Sequence, residues 1–178
     1  MSWRITEPQI EAMFASAEPD LAKRKARTKA VFDRMNGALE TAFRSAPEIL
    51  FIAGAGNEDE DVDFVRSFPA GINLSNLITV GAVDVALQPA GFTSYGKSID
   101  LYANGFEVPS KAPTGLAINI SGTSLAAPQV TNLAAKLLAR KPDLTVAQLR
   151  QLIEQTSTEE GDKKLKVINP KAALASLR

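Results

Sequence analysis

Apolar residues along this chain recur in two rhythms, and the switches between them predict its elements. Ile10, Met13 and Phe14 stand at helical spacing, and Thr6-Glu7-Pro8-Gln9 before them forms a capping box, with Thr6 as N-cap and Gln9 reaching back to it. Glu18-Pro19-Asp20 breaks that helix. A longer one follows, from about Leu21 to Ser45, with an apolar stripe of Ala30, Val31, Met35, Ala38, Leu39, Ala42 and Phe43, and Pro47 ends it. Ile49 to Ala53 is a short unbroken apolar run, the mark of a strand buried on both faces, and it leads into Gly54-Ala55-Gly56-Asn57. Leu77 to Asp84 reads as a second buried strand.

The second half keeps the alternation. Leu116, Ala117, Ile118 and Ile120 are extended, and Ser121-Gly122-Thr123-Ser124 joins them to Leu125, Ala126, Ala127, Val130, Leu133, Ala134, Ala135, Leu137 and Leu138. That run is apolar nearly all round, which predicts a buried helix. Pro128 fits because it falls in the first turns, where backbone N–H groups lack partners. Ser124 then sits at a helix N-terminus, where the macrodipole favours negative charge on its oxygen. A serine in such a place is ordinarily an N-cap, a role Thr123 or Ser121 fills equally well. Beyond the break at Pro142-Asp143, Thr145-Val146-Ala147-Gln148 is a second capping box, with Leu144 and Leu149 as its hydrophobic staple and Val146, Leu149 and Ile153 as the apolar face. Gly161-Asp162 is a turn, Leu165 to Ile168 is extended, and Pro170 starts a last helix through Leu177. Alternating strands and helices argue an α/β layered domain with a mostly parallel sheet. It divides into a helical region, 1–45, and a region, 46–178, that carries the candidate chemistry.

Composition narrows the chemistry. The 178 residues are 45% hydrophobic and 22% charged, with 20 basic and 20 acidic side chains, so there is no electrostatic case for nucleic acid or an anionic membrane as partner. The basic cluster Lys23, Arg24, Lys25, Arg27 and Lys29 has no interleaved aromatics to stack on bases and reads as a solvated helix face. No apolar run reaches the length of a membrane span, and Met1-Ser2-Trp3-Arg4 has no leader pattern. Without Cys, thiolate chemistry and disulfides are excluded. The acidic run Glu58-Asp59-Glu60-Asp61-Val62-Asp63 lacks the spacing of an EF-hand and reads as a solvated loop; at a cleft it would favour basic residues in a ligand. The residues specify no metal site. There is no histidine, and a serine hydroxyl is a weak nucleophile unless a neighbouring base takes its proton.

Gly122-Thr123-Ser124-Leu125-Ala126-Ala127-Pro128 resembles the nucleophile motif of the subtilisin-like serine proteases, G-T-S-M-A-A/S-P, with Leu for Met. Gly54-Ala55-Gly56-Asn57 resembles their A-A-G-N, Leu77 to Asp84 their V-I-A-V-G-A-V-D, Phe92-Thr93-Ser94-Tyr95-Gly96 their F-S-S-x-G, and Ile99 to Gly105 their V-D-L-x-A-P-G with Asn104 for Pro. Gln129 stands where His is common, at a position that is not the catalytic base. Met1-Ser2 resembles the end of the cleft strand N-M-S-L-G-G, although Trp3-Arg4 departs from its Leu-Gly. The resemblance runs from about Leu50 to Leu177. It implies the C-terminal part of a subtilisin-like catalytic domain: Ser124 as nucleophile, Asn57 as oxyanion-hole donor beside the Ser124 N–H, and Ser2, Gly54, Ala55, Gly56 and Thr123 lining the cleft. The Asp and His segments then lie upstream.

The expected reaction is peptide-bond hydrolysis through an acyl-enzyme in the intact domain, with this chain alone inactive. Peptide or protein substrate and the N-terminal half of the domain are the expected partners. Self-association of the isolated chain through the surface facing that half is also expected. The resemblance allows Ca2+ without assigning it a site, and suggests export. Three other readings stay open: a pseudoprotease binding module, a structural fragment, and an α/β-hydrolase esterase. The last is disfavoured because Ala126 stands where G-x-S-x-G needs Gly.

Overall fold

The computed structural model describes residues 1–161 and 163–177, so Asp162 of the expected turn lies outside the described residues. The elements are β1 (Ile5–Thr6), α1 (Glu7–Phe14), α2 (Leu21–Arg44), β2 (Phe51–Gly54), β3 (Ser67–Phe68), β4 (Leu77–Val83), β5 (Leu101–Asn104), β6 (Val108–Lys111), β7 (Ala117–Ile120), α3 (Thr123–Arg140), α4 (Val146–Thr156), β8 (Thr158–Glu160), β9 (Leu165–Val167) and α5 (Pro170–Ala175). The central sheet has the order β2-β4-β5-β9-β8. Its first three pairings are parallel, and β8 closes it antiparallel. The expected mostly parallel α/β sheet is therefore present.

Period-two alternation sends successive side chains of the buried strands into two separate cores. Ile52, Ile78, Val80, Ala82, Leu101 and Ala103 face α3, α4 and α5. Ala53 and Leu77 face the other way, against Ile10, Phe32 and Phe43 of α1 and α2 together with Phe68, Ile72 and Leu74. Strands covered on both faces have no polar side to show, so their sequences read as continuous apolar runs. Both capping boxes form, at Thr6/Gln9 and at Thr145/Gln148. The C-terminus of α2 is closed from a distance: buried Asn76 donates through Nδ2 to Phe43 O at 2.9 Å and Ala46 O at 3.1 Å.

Several expectations are corrected. On α1, Met13 is exposed, and only Ile10 is fully buried. The stripe on α2 is Thr28, Phe32 and Phe43, flanked by Val31 and Leu39, while Ala30, Met35, Ala38 and Ala42 face solvent. Small alanines and a flexible methionine are tolerated outside, and Phe32 carries the packing. Helix α3 is not buried all round. Ala126, Ala127, Val130, Leu133, Ala134 and Leu137 enter the core, and Pro128, Thr131, Asn132 and Ala135 stay open to solvent. The Leu116–Ile120 segment is extended as expected, and its strand Ala117–Ile120 pairs with β6 in a separate, largely exposed hairpin.

Arg150 ties α4 to the sheet. Its guanidinium donates to Asp100 Oδ1 at 2.6 Å and to the carbonyls of Leu74, at 2.8 Å, and Leu77, at 2.5 Å. Burial pushes the Asp100 carboxyl above its ordinary range, even though Arg150 and the Thr79 N–H both favour its ionised form. Replacing Arg150 by Ala leaves a half-buried carboxylate and two carbonyls without donors. The expected loss is about 2–3 kcal/mol, read by chemical denaturation against Arg150→Lys, which keeps the charge but not the fork.

Candidate active site

The site is built where β2 ends and α3 begins. Beyond Gly54 the chain turns through Gly56, whose φ of +108° is left-handed backbone, and delivers Asn57 to the first turn of α3. Gly54 is required for close approach: a Cβ there would stand 2.9 Å from Thr123 Oγ1. Asn57 Oδ1 accepts from the Thr123 N–H at 2.8 Å and from Thr123 Oγ1–H at 3.1 Å. A backbone N–H can only donate, so the atom facing it is the amide oxygen. The other arm, Nδ2, is thereby turned outward past Gly122, where an added Cβ would lie 3.4 Å from it. Thr123 Oγ1 also accepts from the Gly56 N–H at 3.2 Å, which fixes the turn carrying Asn57.

Asn57 thus caps α3 from the turn that follows β2, and no side chain of the local segment caps it. The N-cap reading of Ser124 gives way, because Gly122 is the N-cap and Ser124 lies one residue inside the helix. Of the first-turn donors, Thr123 N–H is held by Asn57 and Leu125 N–H by Gly122 O at 3.0 Å. The Ser124 N–H between them has no intrahelical acceptor and faces a helix N-terminus suited to an anion.

Ser124 Oγ–H donates to Ser2 O at 3.3 Å. The Gly54 N–H donates to Met1 O at 3.0 Å and Met1 N donates to Ile52 O, so the start of the chain lies parallel to β2 as one more strand position. A cavity of about 190 Å³ results, lined by Ser2, Trp3, Arg4, Gly54, Gly56, Asn57, Glu58, Thr123 and Ser124. Six of the seven expected site residues meet there. Ala55 does not line it: the residue is buried and its N–H donates to Val80 O at 2.9 Å, because alternation turns it toward the core. Trp3, Arg4 and Glu58 were not anticipated; the signal was the departure of Trp3-Arg4 from the family's Leu-Gly. A larger groove of about 470 Å³ between α1, α2 and Phe64–Arg66 shares no lining residue with this cavity and lies apart from its chemistry.

Over residues 12–168 the sequence matches the Subtilase family of peptidases. The chain belongs to the subtilase family. Subtilisin DY of Bacillus licheniformis is 33% identical over 126 residues, covering 70% of this chain and 44% of that protein. The thermostable alkaline protease of Halalkalibacterium halodurans is 37% identical over 117 residues, 66% of this chain and 31% of the relative. Among solved structures, a cold adapted subtilisin-like serine proteinase superposes with a TM-score of 0.65 at 30% identity, over 74% of this chain and 48% of that one. The self-cleaved protease domain of PatA gives 0.67 at 28%, over 78% and 54%. The chain therefore spans less than half the length of these curated relatives. As a subtilase it is a hydrolase of the serine protease type by family.

Carboxylates of the acidic loop are engaged by donors of the chain itself. Glu58 and Glu60 pair with Arg4, Asp61 accepts from the Asp63 N–H, and Asp63 accepts from the N–H groups of Lys97 and Ser98. No cluster of three or more metal-ligating side chains occurs among the described residues. No helix among them is long and apolar enough to cross a membrane.

Proposed function

We propose that this chain supplies the nucleophile and oxyanion hole of a subtilisin-like endopeptidase, and that the general base and its carboxylate partner come from elsewhere in the intact protein. The observation that carries this reading is the Asn57–Thr123 pair. By engaging the amide oxygen, it leaves Nδ2 and the Ser124 N–H as two donors at one cavity. When Ser124 Oγ attacks a carbonyl carbon, the carbonyl oxygen becomes an alkoxide and these donors receive it. The leaving amine departs as the acyl-enzyme forms, and water then releases the acid. Peptide or protein substrates and an extracellular setting follow from the same reading. A second reading, a binding module that keeps the cleft without the chemistry, is favoured by the lack of any histidine in the 178 residues.

Trp3, the single tryptophan, lines the cavity and reports on it directly. A peptide boronate, whose reversible tetrahedral adduct on a serine oxygen can form at equilibrium with the hydroxyl proton passing to solvent and no catalytic base, is expected on long incubation to change Trp3 emission saturably. Asn57→Ala should weaken this binding about tenfold through the lost charge-assisted hydrogen bond, and Ser124→Ala should abolish it. Equal binding by all three proteins would overturn the assignment of both residues.

A further inference from the structure

We propose that the Arg4 side chain walls off one side of this cavity and makes it selective for small side chains, so that the residue whose carbonyl meets Ser124 is Gly, Ala or Ser. The inference rests on the reading of Ser124 and Asn57 given above. That reading puts the attacked carbonyl carbon at Ser124 Oγ and its oxygen between the Asn57 amide and the Ser124 N–H. The side chain of the same residue branches from the next carbon along, so it enters the same cavity. The space there is about 190 Å³, below the roughly 300 Å³ at which ligand pockets ordinarily begin. At about 30 Å³ for each water-sized group, it has room for about six. The nitrogen, α-carbon, carbonyl carbon and oxygen of the attacked residue take most of that, and about two groups remain for a side chain.

The wall is built by a side chain where the family's cleft strand, N-M-S-L-G-G, has none, because Arg4 stands at the position of its first Gly. The aliphatic stem lies over Gly56: a Cβ added there would come within 2.5 Å of Arg4 Cδ. The space beside the turn that presents Asn57 is therefore already filled. The stem is also pinned. The Arg4 side chain is 3% exposed, and its Nη1 meets Glu58 Oε2 at 2.5 Å, Glu60 Oε2 at 3.1 Å and Ser94 Oγ at 3.5 Å. Its Nε and Nη2 are likewise shut off from water. A bulky ligand side chain could enter only by expelling this guanidinium from two ion pairs at once, which is costly for a buried cation. The other side gives no room either, since Gly54 already packs against Thr123. A basic ligand side chain finds Glu58 Oε2 taken by Arg4 and by the Asn57 N–H at 2.9 Å, in a cavity too short for its stem. The preference for basic ligands expected of an acidic loop at a cleft thus gives way to one for small side chains.

The test uses peptide boronates in which boron replaces the attacked carbonyl carbon and the adjacent carbon carries a methyl, a benzyl or the aminobutyl chain of lysine. Binding to the whole chain is followed by calorimetry, which does not depend on Trp3. The methyl compound is expected to bind at least about tenfold more tightly than either of the others, the discrimination that overpacking a filled site brings. Arg4→Gly, the family's own residue, and Arg4→Ala should bring the three within about threefold. Arg4→Met, whose sulfur replaces Cδ, keeps a stem over Gly56 without the charge and should keep the wild-type ratio. The wild-type ratio decides the selectivity even if a variant fails to fold. Benzyl or aminobutyl binding as tight as methyl in the wild type would overturn the proposal, and so would an unchanged ratio in folded Arg4→Ala or Arg4→Gly. In either case, binding that Ser124→Ala abolishes would leave the reading of Ser124 and Asn57 standing; binding of none of the boronates, or binding that Ser124→Ala leaves intact, would remove both.

Discussion

The chain on its own will not hydrolyse peptides, and a fluorophosphonate probe will label Ser124 no faster than it labels the unfolded protein. Among the described residues, Ser124 Oγ meets one hydrogen-bond partner, the carbonyl oxygen of Ser2, at 3.3 Å. A carbonyl accepts a hydrogen bond but does not take the proton at neutral pH. No histidine occurs in the sequence to do so. The helix N-terminus and Asn57 stabilise charge once it has formed, yet neither removes the proton that the hydroxyl must lose. Loss of the nucleophile's base costs about 10⁶-fold in kcat, a magnitude that comes from subtilisin itself. A polypeptide carrying the His and Asp segments of a subtilase, added in trans, should restore labelling, and Ser124→Ala should remove it again. Specific labelling of the chain alone, abolished by Ser124→Ala, would show that a base is present within these residues and would overturn the division of labour proposed here.

The buried strands and both capping boxes were legible because their signals are local. An unbroken apolar run between turn residues, or a Thr three positions before a Gln, carries its own meaning. Ser124 and Asn57 were legible through the motifs around them, and the physical reason for their pairing emerges only in three dimensions: Thr123 holds Asn57 by its oxygen across a strand boundary. What stayed hidden depended on distant partners. Phe32 was missed because the stripe was drawn through its neighbour Val31, although Phe32, Leu39 and Phe43 share one helix face; Phe68, 36 positions on, is what buries it. Arg4 read as an irregularity until Glu58, Glu60 and Gly56 came to surround it. The exposed side of α3 was legible in part, through Thr131, Asn132 and Lys136, and was obscured by Pro128 and Ala135, which look apolar in sequence but tolerate solvent.

Replacing Phe32 by Ala will cost about 3–5 kcal/mol of stability, the range for deleting a buried aromatic ring. Phe32 is 2% exposed and its ring meets Phe68 edge-on, with centroids 5.2 Å apart. The Arg66 guanidinium lies 4.4 Å over its centroid, held there by Glu7 at 2.8 Å and by Asp33. One side chain thus joins α2 to β3, and through Arg66 it also engages α1. At about 2–4 °C per kcal/mol for a chain of this size, the melting midpoint should fall by roughly 10 °C. Phe32→Leu, which keeps most of the volume, should lose much less. The effect should also reach the cavity, because Phe68 carries the Trp3 ring edge-on, with centroids 6.1 Å apart. A change in Trp3 emission under native conditions, before any global unfolding, is therefore expected for Phe32→Ala. A loss below about 1 kcal/mol, with Trp3 unchanged, would show that α2 is held to the sheet by something other than this aromatic column.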